Sequence, residues 1–378
     1  MYSKDERTVI TLDAGGSNFD FSAIRGNKIV VEKINKPAYA HGHPLQRCID
    51  SIIEGFEEVT ERLQSQGLSA TAISFAFPGP ADYLNGIIGP GFIPAFPEFR
   101  EGVALGRLLE KRFNVPVFIN NDADLFVYGE ALAGALPRVN QRLKDMGSCK
   151  QYRNLIGFTW GTGFGFGFTV NGQMHLGDNS CTEIFCLPHK KRSDMMVEDG
   201  VSARAIKRVY GEFAGDKNHH LEPADIYAIA EGTRPGAGDA ARQAFAEMGE
   251  IAGHAIATAV SLIDGIVVIG GGLRHAAKYI KPALFQEMNR TLSTLSGDRV
   301  RRLQSHAYDL DDDLQFAEFA KGETKNIQVK GYNDCVTCNA RKSIGVTIST
   351  LDASVSVSLG AYAFALHEID SAISNPVL

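Results

Sequence analysis

The chain alternates short apolar runs with amphipathic stretches, and this alternation predicts its elements. Runs of strand length lie at residues 8–12, 72–77, 115–119 and 265–269. Apolar positions spaced three and four apart predict helices at residues 45–63, 103–113 and 238–263 and a small-residue helix at 358–367. Strands interleaved with helices indicate an α/β fold. Residues 301–342 are charged and show no clear period, so we expect an irregular region there.

Two glycine-rich turns follow strands, at residues 13–18 and 161–167, and each leads into another strand. A dinucleotide-binding fingerprint requires a helix directly after its glycines, so the first turn does not fit that motif. Glycines let the backbone approach a bound group closely, and the turn amides with Ser17 could then bond phosphate oxygens. Asp13 could hold Mg²⁺, directly or through water. Taken alone, such a turn is equally an ordinary hairpin turn. A third glycine turn follows the strand at 265–269.

A carboxylate stands where the strand at 115–119 ends and a helix begins. Open α/β sheets bind ligands at this edge, so Asp122 is a candidate functional residue. The alternative is that Asp122 only caps the helix, because Asp is a preferred N-cap. Pro78 and Gly79 close the strand at 72–77 and lead to a loop rich in Gly, Pro and Phe at 86–99. That loop either lines a ligand pocket or is a stiff surface loop.

Composition narrows the class of protein. A chain of 378 residues with 44% hydrophobic and 22% charged residues indicates a globular protein of two domains. A net charge of −6 argues against a nucleic-acid surface, which is normally basic. No uncharged apolar run reaches the length of about 18 residues that a membrane span needs, and MYSKDERTVI has no signal core. Six cysteines are too few for a disulfide framework, so we expect a reducing cytoplasm.

The order of these motifs resembles the sugar-kinase, Hsp70 and actin superfamily, and within it the ROK family of repressors, open reading frames and sugar kinases. LDAGGSN is similar to the first phosphate loop of that family, WGTGFGFG to the second, and VVIGGGL to the adenosine-binding turn. PGP followed by NNDAD is similar to its sugar-binding and catalytic-base segment. TEI at 182–184 is similar to the start of its sugar motif.

The resemblance implies a two-lobed actin-like ATPase fold of the ribonuclease H-like type, with mixed sheets and a central crevice. We expect an N-terminal lobe over 1–121, completed by the C-terminal helix 358–378, and a C-terminal lobe over 122–357. Proteins of this kind are commonly homodimers, so we expect a homodimer. Two lobes around one crevice also imply a hinge motion that excludes water.

The reaction implied is ATP-dependent phosphorylation of a hexose or amino-sugar hydroxyl, with Asp122 as general base and Asp13 placing Mg²⁺. The implied sugar-binding residues are Asn121, Asp122, Glu183, Glu198, Pro78 and Gly79. The implied ATP-binding residues are Asp13, Gly15, Gly16, Ser17, Gly161, Thr162, Gly163, Gly165, Gly270, Gly271 and Gly272.

Three departures from the family pattern bear on activity. Cys186 stands where a histidine is usual, Phe166 where a glycine is usual, and GFIPAF replaces a stretch with a sugar-contacting asparagine. A catalytically inactive sugar-binding protein is therefore the alternative. A sugar-responsive repressor would need a helix-turn-helix of roughly sixty residues before the first strand, and the sequence leaves no room for one.

Zinc is a separate question. The cysteine-rich zinc motif of the family has no counterpart at 190–199, so we expect no zinc. The alternative is a site in which Cys335 and Cys338, which have the spacing of a zinc half-site, join Cys181, Cys186 and His189.

Overall fold

The structure is a computed structural model that describes residues 2–15, 17–40, 42–91, 93, 96–215 and 220–374. The strands are β1 (Thr8–Ala14), β2 (Asn18–Arg25), β3 (Lys28–Pro37), β4 (Ala70–Ala76), β5 (Ala81–Asp82), β6 (Ile87–Ile88), β7 (Val117–Asn120), β8 (Leu155–Trp160), β9 (Phe164–Val170), β10 (Gln173–Met174), β11 (Pro188–His189), β12 (Arg192–Met196), β13 (Ile266–Gly270), β14 (Thr291–Ser293), β15 (Arg299–Arg301), β16 (His306–Asp309), β17 (Thr324–Gln328), β18 (Cys335–Asn339) and β19 (Ser343–Ile348). The α-helices are α1 (Leu45–Ser65), α2 (Leu105–Phe113), α3 (Asp122–Leu132), α4 (Ala135–Asp145), α5 (Ala203–Ala214), α6 (Pro223–Ala230), α7 (Gly238–Ile263), α8 (Ala277–Met288), α9 (Asp313–Lys321) and α10 (Ala353–Ser374).

The chain divides into two compact units, which we describe separately. The first unit comprises Met1–Gly134, Gly167–Thr182 and Thr350–Leu378, and the second comprises Ala135–Phe166 and Glu183–Ser349. Helix α3 belongs entirely to the first unit, because it packs closely along α10. A Cβ at Gly129 would overlap the backbone of Ser356, and one at Gly360 would overlap the backbone of Leu125. The first unit therefore continues past Asn121, where we placed the end of the N-terminal lobe.

The first unit is built on a mixed five-stranded sheet in the order β3-β2-β1-β4-β7. The first three strands are antiparallel, and β1, β4 and β7 are parallel. Alternation along β1 sends Ile10 and Leu12 to the face that packs with α1, and Val9 to the face that packs with α10. On the α1 side Phe21 and Phe56 meet edge to face and are fully buried. Burial of each such side chain stabilises the unit by roughly 1.5–3 kcal/mol.

The second unit contains the parallel strands β8, β13, β19 and β16 as neighbours in one sheet. Strand β9 lies beside β8 and continues into the first unit, where β10 pairs with its end. Glycines on α7 allow α8 to pack very closely, since a Cβ at Gly249 would overlap the backbone of Ile280. The parallel strands end at the same edge of the sheet, and the second and third glycine turns follow β8 and β13 there.

The expected irregularity of residues 301–342 is wrong. This region forms β16, α9 and the hairpin β17–β18. Helix α9 begins where the side chain of Asp312 accepts a hydrogen bond from the backbone N–H of Gln315, at 2.9 Å. Almost every residue of the β17–β18 hairpin is exposed, so no buried face gives its sequence an alternating pattern.

The C-terminal helix starts earlier than predicted. The C-terminal helix begins at Ala353 instead of residue 358, with Asp352 accepting the first backbone bond from Ser356. A short 3-10 helix, Gly272–Ala276, precedes α8. Within the described ranges, no helix is both long and apolar enough to cross a membrane.

Candidate active site

Asp13 lies at the end of β1, directly opposite Asp20 on β2. Asp20 accepts hydrogen bonds from Lys33 Nζ and Asn35 Nδ2, each at 2.7 Å, so its charge is compensated. Among the described residues, no side chain or backbone group donates a hydrogen bond to Asp13. Like charges directly opposite in an antiparallel pair are unfavourable. The arrangement therefore holds a half-buried carboxylate available for another partner.

The pKa of Asp13 is raised to about 6 by burial first, and then by the charges of Asp122 and Asp20, with Lys33 opposing them. A cation bound to this carboxylate would favour its charged form. The first glycine turn follows, with Gly15 and Ser17 exposed. The backbone oxygen of Ser17 accepts a hydrogen bond from Ala38 N–H at 3.0 Å. Gly16, the remaining candidate of this turn, lies outside the described residues.

Asp122 is the first residue of α3, and the N-cap is Asn121. Asn121 Oδ1 accepts the backbone N–H of Ala123 at 2.8 Å, and Asp122 Oδ1 accepts the same group at 2.9 Å. The N-cap position is therefore Asn121, and the Asp122 carboxylate adds a second acceptor for the first turn of the helix. Solvent reaches Asp122, yet desolvation by the surrounding protein raises the pKa of its carboxyl, with the hydrogen bond from Ala123 opposing this.

The loop after β4 is fixed to the same edge. Phe77 N–H donates to the backbone oxygen of Asn120 at 3.0 Å, and Tyr83 OH donates to the backbone oxygen of Phe77 at 2.8 Å. These bonds bring Pro78 and Gly79 to the sheet edge at which Asn121 stands. The following GFIPAF stretch lies partly outside the described residues, at 92, 94 and 95.

In the second unit, Glu198 holds the second glycine turn. Its Oε2 accepts the backbone N–H of Phe164 at 3.0 Å, and its Oε1 pairs with Arg204 Nη2 at 3.0 Å. Gly161 is tied to the start of α5, since its backbone oxygen accepts Ala203 N–H at 2.9 Å. Thr162 is exposed at the tip of the turn, and Gly163 and Gly165 are half-buried. Through these two bonds Glu198 supports the turn, and its expected role in sugar binding stays a prediction.

The third glycine turn lies beside the second. Gly270 ends β13, and Gly271 adopts a φ of 84° that favours glycine. A Cβ at Gly271 would overlap the backbone of Trp160, the residue before Gly161. Gly272 is exposed at the start of the 3-10 helix. The structure thus brings together the two predicted nucleotide-binding turns of this unit.

The segment that begins at Glu183 contains His189, a structural residue that we did not predict to bind the sugar. Glu183 is half-buried and Cys186 is exposed, whereas His189 is buried. His189 Nδ1 accepts the backbone N–H groups of Lys191 at 3.1 Å and Arg192 at 3.2 Å, which closes the β11–β12 hairpin. Burial, with nearby Arg208 adding to it, lowers the pKa of His189, so the ring is neutral near pH 7.

The zinc alternative finds no support in the placement of the cysteines. Cys335 and Cys338 lie on the exposed strand β18, three residues apart, so their side chains point to opposite faces. Within the described part of the chain, no group of three or more His, Cys, Asp or Glu residues could hold a metal ion.

Comparisons with known proteins place the chain. The model of the ROK family matches residues 9–309. A crystal structure of glucokinase from Parabacteroides distasonis is 49% identical, with a TM-score of 0.85, and the match covers 97% of this chain and 99% of that one. The glucokinase of Thermotoga maritima is 27% identical over 72% of this chain and 84% of its own length.

A ROK-family glucokinase from Streptomyces griseus, solved with glucose and AMPPNP, has a TM-score of 0.56 at 16% identity, covering 94% of this chain and 98% of that one. The likeness to these solved structures confirms the mixed α/β fold class expected from the motifs. The chain belongs to the ROK family.

Proposed function

We propose that this protein is a sugar kinase that transfers the γ-phosphoryl group of ATP to a hydroxyl of a hexose or amino sugar, with Asp122 as general base. The observation that carries the proposal is the pair Asp122 and Asp13 in the first unit. Asn121 is the N-cap of α3, and the charge of the neighbouring Asp122 is one of the causes that raise the pKa of Asp13. The glucokinase from Parabacteroides distasonis, at 49% identity, supports the reaction class.

Asp122 suits the role of base because it is solvent-accessible and its pKa is raised. A general base works best when its pKa approaches the working pH. The carboxylate accepts the proton of the sugar hydroxyl as the oxygen attacks phosphorus. Asn121, Pro78 and Gly79 stand at the same edge, and we propose that they and Glu183 bind the sugar. A sugar that lacks a matching hydroxyl would leave such polar groups unpaired, and this gives selectivity between sugars.

The nucleotide is assigned to the glycine turns. We propose that Gly15 and Ser17, together with the turn at Gly161 to Gly165, bind phosphate oxygens through backbone N–H groups, and that Gly270 to Gly272 let adenosine approach the backbone. In this proposal Glu198 supports the second turn, through its bonds to Phe164 and Arg204.

Magnesium fits the residues present. Mg²⁺ usually keeps several waters and takes one or two carboxylates together with substrate phosphates. Asp13 is such a carboxylate, since it has no hydrogen bond among the described residues and like charges beside it. When bound, the ion would neutralise charge on the phosphate oxygens. Asp13 would hold it, directly or through water.

The test is ATP consumption over a panel of hexoses and amino sugars, run beside the melting temperature with each sugar alone. A sugar kinase shows turnover with at least one sugar that also raises the melting temperature. Stabilisation by a sugar without turnover would instead support the inactive sugar-binding protein, which Cys186 and Phe166 favour. No effect of any sugar would contradict both functions.

We also propose a homodimer in the reducing cytoplasm. All six cysteines are free, which fits that compartment. Sedimentation that finds only monomer at micromolar concentration would contradict the dimer.

A further inference from the structure

Three polar residues surround Ala76 on one face of the first sheet. Ala76 is in register with Asp13 on β1 and with Asn120 on β7, and Ser74 precedes it by two residues on β4. Side chains alternate along a strand, so Ser74 and Ala76 share the face of Ala72, which packs against α10. Asp13 and Asn120 likewise share the face of Val9 and Phe118, which pack against the same helix.

Two of these polar groups lack partners. Ser74 is fully buried and Asn120 is 1% exposed. Within the described part of the chain, neither Ser74 Oγ nor Asn120 Nδ2 has a hydrogen-bond partner. Buried polar groups in native proteins are paired in the large majority of cases, with protein or with ordered water. Two unpaired groups on neighbouring strands of one face therefore indicate a shared partner.

The spacing of the sheet fits a water molecule as that partner. Adjacent strands lie about 4.8 Å apart, so the Cα atoms of Asp13 and Asn120 are about 10 Å apart, with Ala76 between them. That distance is too long for most direct hydrogen bonds between the two side chains but short enough for a bridge. Ala76 contributes only a methyl group between them. A buried water typically makes about three hydrogen bonds, and three polar residues stand around this position.

We propose that a buried water above Ala76 accepts a hydrogen bond from Asn120 Nδ2 and donates one to the carboxylate of Asp13. The same water forms a third hydrogen bond with Ser74 Oγ, in which either oxygen can be the donor. Asn120 and Ser74 are then positioning residues that fix the orientation of Asp13. Outer partners of a metal-binding carboxylate are known to set how well it holds its ion. The positioning role rests on the proposed function, whereas the water does not.

The water is tested first, without reference to activity. A crystal structure should show an ordered water within hydrogen-bonding distance of Ser74 Oγ, Asn120 Nδ2 and an oxygen of Asp13. The melting temperatures of Ser74→Ala, Asn120→Leu and the double variant should be non-additive, because either single change removes a bond to the same water. An empty position, or fully additive shifts, would overturn the proposal.

The positioning role is tested by calorimetric titration of Mg²⁺ in the presence of AMPPNP. Ser74→Ala and Asn120→Leu should each weaken Mg²⁺ binding by about tenfold, the lower end of the range for outer partners of metal ligands. The matched control is Thr169→Val, which removes another buried hydroxyl without a partner and should leave Mg²⁺ binding unchanged.

Unchanged Mg²⁺ binding in both site variants would overturn the positioning role even if the water is seen. If Asn120→Leu does not fold, Ser74→Ala decides, since it removes one oxygen atom and adds no bulk. If the wild-type protein binds no Mg²⁺ with AMPPNP, the proposed function fails, and the crystal structure and melting temperatures still decide the water.

Discussion

The sequence presents two hairpin turns as similar phosphate-loop candidates. The carboxylates beside these turns differ in their hydrogen bonds to the protein. Beside the first turn, Asp13 accepts no hydrogen bond within the described residues and stands opposite Asp20, and its pKa is raised to about 6. Beside the second turn, Glu198 accepts a backbone N–H and pairs with Arg204. The same strand-turn-strand pattern therefore carries, among the described residues, a carboxylate without a protein donor in one unit and a carboxylate bonded to protein groups in the other.

This difference distinguishes a carboxylate that is available to a ligand from a carboxylate that stabilises a loop. A carboxylate kept without protein donors costs stability and is typical of functional sites, where a ligand supplies the partner. A carboxylate that bonds a backbone amide and a guanidinium fixes a loop. The comparison predicts that changes in the first unit alter turnover with little loss of stability, while changes in the second alter the turn itself.

The largest effect is expected from Asp122→Asn. The amide keeps the size of the side chain but cannot accept the hydroxyl proton, so kcat should fall by about 10²–10⁴-fold. The fold should survive because Asn121 caps the helix in both proteins. The measurement is coupled ATP consumption with the best sugar, alongside the melting temperature. The control is Asp312→Asn, which changes another Asp at a helix N-terminus and should leave kcat unchanged. Unchanged turnover in Asp122→Asn would remove the base from the mechanism.

Gly271→Ala should be the most damaging change to the second unit. The residue has a φ of 84°, and a Cβ would overlap the backbone of Trp160. Backbone strain in this region costs on the order of 1–3 kcal/mol, and the overlap adds to it. The variant should melt well below the wild-type protein. Gly272→Ala is the matched control, because no atom lies near its Cβ position. Equal melting temperatures for the two variants would show that the turns do not pack as described.

Asp13→Asn tests whether the charge of Asp13 lowers the stability of the first unit. The pKa of Asp13 is raised above its unfolded value of about 4, so the folded state prefers the neutral form. The charged form therefore destabilises the protein, and this penalty disappears as pH falls from about 6 to about 4. Asp13→Asn should raise stability at pH 7 by about 1–2 kcal/mol, after allowance for solvent screening.

The same variant should lose phosphoryl transfer and Mg²⁺ binding. Denaturant unfolding at pH 7 and pH 4.5 measures the stability effect, and the gain should shrink at the lower pH. Asp20→Asn is the comparison, since Asp20 is already paired with Lys33 and Asn35. A loss of stability in Asp13→Asn at pH 7 would show that the carboxylate is satisfied, against the contrast drawn between the two turns.

Local patterns predicted much of the fold, and long-range contacts account for what they missed. Helix α7 has the expected bounds, because its apolar spacing and its flanking residues lie within one segment. The β17–β18 hairpin escaped prediction, since both of its strands are exposed and its sequence has no buried face. Either Asn121 or Asp122 could cap α3 by residue type, and only the backbone geometry decides between them.

The candidate site follows the same rule. Glycine turns and the Asn-Asp pair are visible in sequence because each is contiguous. The bond from Phe164 to Glu198 joins residues 34 apart, and no local pattern announces it. Asn120 was passed over for a related reason, since its burial without a partner depends on β4 and β7 being neighbours.

The smallest effect is expected from Glu198→Gln, which tests the supporting role of the second turn. The glutamine oxygen can still accept the Phe164 N–H, while the ion pair with Arg204 is lost. That ion pair is largely exposed on the arginine side, so its loss should cost about 0–1 kcal/mol. Glu198→Ala also removes the acceptor for Phe164 N–H and should cost about 1–3 kcal/mol.

If Glu198 supports the turn, the two variants should differ in melting temperature and in AMPPNP affinity, with Gln close to wild type and no change in the KM for sugar. If Glu198 instead binds the sugar, Gln should raise that KM while stability and AMPPNP affinity stay near wild type, and the contrast between the two turns would then be lost.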